Sequence, residues 1–140
     1  MSRAERRAAP KPAHVPTGDR PAYSPDEGRH STKPLIDHRI YTIKLRKMGE
    51  FIDVFDRLAM PILLQTLGHP LGFWTSLVGP QNQFVHLWSY DSLADYEKRS
   101  LARDTHPDFP KYLAASEHLI VAQETRLIRR VDMPSMAGRS

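Results

Sequence analysis

Seven consecutive residues, Phe84-Val85-His86-Leu87-Trp88-Ser89-Tyr90, constrain the fold of this chain more than any other stretch. Alternate positions put Phe84, His86, Trp88 and Tyr90 on one face and Val85, Leu87 and Ser89 on the other. Strict period-two alternation is the mark of a β-strand with two unlike faces. Three rings and an imidazole therefore converge on one surface. Gly79-Pro80-Gln81-Asn82 before the run reads as a turn, and Asp91-Ser92-Leu93-Ala94-Asp95 after it as a helix start.

Around this strand the other elements fall into place. Residues 37–45 are β-branched and aromatic enough to form an opening strand. Phe51, Ile52, Phe55, Leu58, Ala59, Ile62 and Leu63 recur at three- and four-residue spacing, the apolar stripe of a long helix. Pro61 predicts a kink in that helix or its restart, and Gly68 its end. Residues 70–79 are expected to form a second strand. A three-residue bulged loop with Pro80 and Asn82 would pair Trp74 with Trp88 and Ser76 with His86. A two-residue loop would swap the faces and bring Thr75's face to His86; the bulged form suits Pro and Asn better. A helix from Ser92 to about Arg103, a short helix over 109–118 and a last strand over 119–130 complete the domain. The order is βαββαβ, the ferredoxin-like α+β arrangement with a four-stranded antiparallel sheet.

Residues 1–34 are of another kind. They hold six of the twelve prolines and carry a net charge of +3, against +1 for residues 35–140. Such a segment cannot bury enough apolar surface to offset its ordering entropy, so an extended or disordered Pro/Arg-rich arm is expected. The domain then spans 35–131, with a loose end at 132–140. Because the positive excess sits mostly in the arm, the folded part lacks the basic face that nucleic-acid binding needs. No apolar run is long enough to span a bilayer, so membrane insertion is not expected. Cysteine is absent, which removes disulfides and thiol chemistry and makes the cytoplasm the default location. The seven histidines are dispersed, with no metal-ligand spacing among them. Neither a metal nor another cofactor is expected.

Two helices cover only one face of such a sheet. On either register the remaining face is apolar, carrying Trp74, Phe84, Trp88 and Tyr90 or else Phe73, Val85 and Leu87. A patch of that size predicts a partner, most economically a second copy packed sheet to sheet as a homodimer.

The segments His38-Arg39-Ile40-Tyr41-Thr42, Leu71-Gly72-Phe73-Trp74, Gly79 to Leu93 and Ala122-Gln123-Glu124-Thr125-Arg126-Leu127 resemble the NIPSNAP family, over roughly residues 36–130. His-Leu-Trp-x-Tyr-Asp-Ser-Leu is the most specific of these motifs. The resemblance implies a dimeric α+β barrel, in agreement with the topology above. The wider superfamily includes cofactor-free antibiotic monooxygenases, haem-degrading monooxygenases and small isomerases, as well as barrels without known chemistry. The fold does not choose among them.

The polar tips among aromatic bodies suggest a small-molecule pocket. His86 is the candidate proton-moving or anchoring group, or else a buried histidine bonded to a neighbour such as Ser76. Tyr41 and Arg39 are the other catalytic candidates, holding a substrate oxygen; the competing reading pairs Arg39 with Asp37 or Glu124. Trp74, Trp88, Tyr90, Ser76 and Phe84 are the candidate substrate-binding residues, although large rings also simply fill barrels. Two functions follow. One is a cofactor-independent oxygenase or isomerase acting on an aromatic or conjugated substrate. The other is a non-catalytic interaction module using its surface or its arm.

Overall fold

The computed structural model describes residues 25–136. The expectation for residues 1–24 and for the last four residues lies outside them. Four strands, β1 (Leu35–Ile43), β2 (Gly72–Thr75), β3 (Gln83–Tyr90) and β4 (Ile120–Arg129), form one antiparallel sheet in the order β2-β3-β1-β4. A short helix α1 (Pro25–Arg29) precedes β1. Helices α2 (Met48–Val54) and α3 (Met60–Thr66) connect β1 to β2, and α4 (Leu93–Asp104) and α5 (Phe109–Ser116) connect β3 to β4. The expected βαββαβ order and antiparallel sheet are present.

The long helical pattern is interrupted as Pro61 predicts: a π-helical turn spans Phe55–Ala59, and the α-helix restarts at Met60 with the proline in its first turn. Pro61 has no N–H to return to the carbonyl of Arg57, and one wider turn, closed by Met60 N–H on Phe55 O, absorbs the missing bond. Gly68 ends the helix with φ of +95°, its N–H reaching Leu63 O at 3.3 Å. Ser92 caps α4 by accepting from Asp95 N–H at 3.0 Å.

The hairpin differs from the expected register. Phe73 pairs with His86, Trp74 with Val85 and Thr75 with Phe84. The pairings of Trp74 with Trp88 and of Ser76 with His86 do not form. Ser76 instead lies opposite Gln83: its N–H bonds Gln83 O at 2.9 Å, and its Oγ accepts from Gln83 N–H at 3.1 Å. The connection thus spans 77–82 and is longer than a tight turn, with Gly79 and Asn82 both at positive φ. The displacement is an odd number of residues, so every β2 side chain changes face. The core gives the reason. Phe73 packs between the Phe55, His86 and Trp88 rings, at centroid distances of 6.1–6.2 Å. Trp74 folds over Gly72, where an added Cβ would stand 2.8 Å from the indole.

The ring-bearing face of β3 is not the open one. Phe84, Trp88 and Tyr90 join Tyr41 and Ile43 of β1 under Phe51, Phe55, Leu63 and Tyr112 from the chain's own helices. The opposite face carries Trp74, Val85, Leu87 and Ile40. Residues 27–34, placed by the sequence in the arm, make contacts with the domain. Ser31 Oγ lies 2.7 Å from Ser89 Oγ, and Arg130 N–H bonds Pro34 O at 2.7 Å. The packed unit therefore begins before residue 35.

Candidate functional site

β1 and β3 are paired so that Arg39 stands opposite His86 and Tyr41 opposite Phe84, all on the helix-covered face. There the sheet, α3 and α5 enclose a cavity of about 220 Å³. Arg39, Tyr41, His86 and Trp88 form its floor, and Arg103 and Tyr112 belong to the wall contributed by the second crossover. An engineered apolar cavity of about 150 Å³ already holds benzene, so this space is large enough for a single-ring molecule.

His86 is only 2% exposed. The indole N–H of Trp88, two residues on and on the same face, donates to His86 Nδ1 at 2.8 Å. Because Nδ1 accepts, the neutral ring carries its proton on Nε2, and this buried nitrogen has no partner among the described residues. Burial, reinforced by the charges of Arg39, Arg103 and His38, pushes the imidazole pKa down to about 3. At neutral pH His86 is thus an uncharged donor through Nε2–H and a poor proton acceptor. The bond expected from Ser76 is supplied instead by Trp88.

Arg39 is held by Asp37, as one of the two readings of the sequence had it, with Nε 2.9 Å from Oδ2. Burial opposes the guanidinium charge, but the adjoining Tyr41 and Asp37 outweigh it and raise the pKa further. Asp37 is fully buried; burial pushes its carboxyl up against the pull of Arg39, and Oδ1 has no partner among the described residues. Burial also raises the Tyr112 hydroxyl, with Tyr41 adding to the effect. Ser116 is close to that hydroxyl but outside hydrogen-bond geometry.

Residues 36–134 match the family model for NIPSNAP. The chain belongs to the NIPSNAP family. Among solved structures it is similar to a NIPSNAP family protein of Agrobacterium tumefaciens, with 26% identity and a TM-score of 0.68, covering 71% of this chain and 94% of that one. A NIPSNAP-like domain protein of Burkholderia xenovorans is 27% identical with a TM-score of 0.66, covering 72% of this chain and 86% of that one. A protein from Nitrosomonas europaea, of the antibiotic biosynthesis monooxygenase type, shares the fold at 12% identity and a TM-score of 0.51, covering 67% of this chain and 95% of that one. No curated protein matches.

In this NIPSNAP domain, four of the eight residues expected at the site, Arg39, Tyr41, His86 and Trp88, meet at the cavity. Phe84 and Tyr90 share their face but lie outside the cavity wall. Phe84 faces a separate groove beside α2, and Tyr90 is buried against Tyr96. Trp74, half exposed, and Ser76 are removed from the site by the register change. Sequence reasoning missed Phe55, Arg103 and Tyr112. For Tyr112, its place among apolar residues of a short helix was a usable signal. Nothing in the sequence singles out Arg103 from the other cations of α4. Among the described residues, no cluster of three or more His, Asp or Glu side chains is placed to hold a metal ion, and no helix is long and apolar enough to cross a membrane.

Proposed function

We propose that this NIPSNAP domain binds a small aromatic or conjugated molecule in the cavity under α3 and α5, and acts on it as a cofactor-independent oxygenase or isomerase. The observation that carries the reading is His86. A buried imidazole whose tautomer is set by Trp88, and whose Nε2–H is left unpaired, costs stability unless a partner arrives. A ligand oxygen is such a partner. His86 then polarises an enol, phenol or carbonyl oxygen as it becomes negative. Tyr41 and Arg39 stabilise the same charge in a site with little water. The flat wall of Trp88 and Phe55 holds the ring. The assignment of His86 as a general base gives way here to one of hydrogen-bond donor, because its low pKa leaves it without basicity.

The reading includes a homodimer in a cytoplasmic setting. Its support is the open sheet face, where Trp74 is 50% exposed beside Val85, Leu87 and Ile40. The cavity lies on the helix-covered face, so a dimer formed through the opposite face covers the sheet away from it.

Native mass spectrometry of the purified chain tests the proposal. A small molecule retained by the wild type and lost from His86→Leu supports it. Identical retention by both, or full turnover by His86→Ala once a substrate is in hand, removes His86 from the site. The same open face also favours a second reading, a non-catalytic interaction module, in which a different protein covers Trp74. A chain that runs as a monomer alone and forms a stoichiometric complex with a captured protein, lost on Trp74→Glu, would select it.

A further inference from the structure

Resting on the cavity reading, we infer that the ligand is a single-ring carboxylate, received by the guanidinium groups of Arg103 and Arg39. Enols, phenols and carboxylates would all satisfy His86, so the choice depends on the charged groups of the wall: Arg39, Arg103 and the Asp104 carboxylate that Arg103 holds. The Arg103 and Arg39 side chains are 13% and 12% exposed, and both line the cavity. Each is tied to a carboxylate through Nε alone: Arg103 to Asp104 Oδ1 at 2.9 Å, and Arg39 to Asp37 Oδ2 at 2.9 Å. The terminal amino groups of Arg103 make no hydrogen bond among the described residues, whereas Arg39 Nη2 has a 3.5 Å contact with Tyr96 Oη and its guanidinium also adjoins the Tyr41 hydroxyl.

An arginine whose side edge is occupied still presents its end-on pair of N–H groups, the geometry that matches two carboxylate oxygens. The two arginines differ in readiness. Asp37 is fully buried and holds Arg39 within the core, whereas the Asp104 side chain is 53% exposed and gives up Arg103 at little cost. Phe109 supports the Arg103 guanidinium, its ring centroid 5.8 Å from Cζ, and so keeps the planar group near the cavity. Arg103 is therefore the principal anion receptor, with Arg39 and the neutral His86 donor beneath it. A phenol would present one oxygen and leave the end-on pair of Arg103 N–H groups unmatched. A ring bearing a carboxylate fits both the charge and the volume of about 220 Å³.

The test uses the full chain at pH 7, titrated with benzoate and with benzamide, its neutral isostere. Binding is followed by calorimetry and by the NMR signals of the Trp88 indole and the His86 ring. Benzoate should bind at least about 10-fold more tightly than benzamide. Arg103→Gln should weaken benzoate by about 10-fold and leave benzamide unchanged, and Arg103→Lys should recover part of the loss. Equal affinity for the two probes, or benzoate binding indifferent to Arg103→Gln, overturns the carboxylate inference while the cavity remains a ligand site. If neither probe moves the His86 and Trp88 signals, the cavity reading falls and the carboxylate inference falls with it. Melting curves of each variant verify that a lost signal is not a lost fold.

Discussion

Trp88 and Trp74 lie on adjacent strands of one sheet, yet Trp88 is wholly enclosed and Trp74 is half exposed. The face of Trp88 is covered by phenyl rings from the chain's own helices, and two of its polar side chains are each anchored through one atom. His86 is bonded by Trp88, and Arg39 by Asp37. The face of Trp74 has aliphatic neighbours, and among the described residues the crossover helices all pack on the other face. The contrast separates two kinds of demand. The enclosed face leaves His86 Nε2 without a polar partner among the described residues, and the proposed ligand site rests on that. The open face mixes aliphatic residues with His38, Arg126 and Glu124, and on the proposed reading it is the side offered to another polypeptide.

Variants of the enclosed face should have the largest effects. Trp88→Ala removes a fully buried indole and the donor to His86, and should cost about 3–5 kcal/mol in urea unfolding. Asp37→Ala leaves Arg39 buried without its carboxylate and should cost about 3 kcal/mol; replacing both members by apolar residues should cost less, as a double-mutant cycle would show.

The next effect depends on pH. His86 has a folded pKa of about 3, below its unfolded value near 6.5. Between those values the unfolded chain binds the extra proton, so stability rises with pH through this window and is lost as pH falls through it. The contribution amounts to about 2 kcal/mol between pH 7 and pH 5. Asp37, with its pKa raised, contributes the opposite slope in the acid range, and His38 and Arg103 also act on His86. Comparison of wild type with His86→Gln isolates the imidazole: the variant should show the flatter stability profile. Equal slopes would mean that His86 is more hydrated than its 2% exposure implies.

Smaller changes sharpen the comparison. Trp88→Phe keeps most of the packing but removes the indole N–H. It should cost about 1 kcal/mol, and ¹⁵N NMR should show His86 passing from one tautomer to a mixture. Trp74→Ala should alter the unfolding of the single chain by less than about 0.5 kcal/mol. In sedimentation, however, it should weaken self-association about 10-fold, since an exposed tryptophan is a typical anchor of an interface. Undiminished association would place the dimer contact elsewhere.

Much of this was readable from residue order. The alternation at 84–90, the stripe from Phe51 to Leu63, Gly68 as a stop and Ser92 as a cap each act within one turn or one strand. The hairpin register was not readable in the same way. Pro80 and Asn82 suit a tight bulged turn, and Asn82 does adopt positive φ, but the packing of Phe73 against Phe55, His86 and Trp88 outweighs that local preference and draws out a longer loop. Arg103 was likewise invisible. Its entry into the cavity wall depends on how the second crossover lies over the sheet, a long-range arrangement that no local pattern encodes.

Sequence alone therefore determined the order of elements, the antiparallel ferredoxin-like sheet, the NIPSNAP membership and the sharing of one strand face by His86 and Trp88, because these rest on short-range periodicity and motif. Only the tertiary structure decided which face the helices cover, which side of β2 looks inward and which guanidinium groups meet the imidazole. The physical reason is that a strand's two faces are related by a shift of one residue, and only the competition to bury Phe73 or Trp74 against the same helices breaks that near-equivalence.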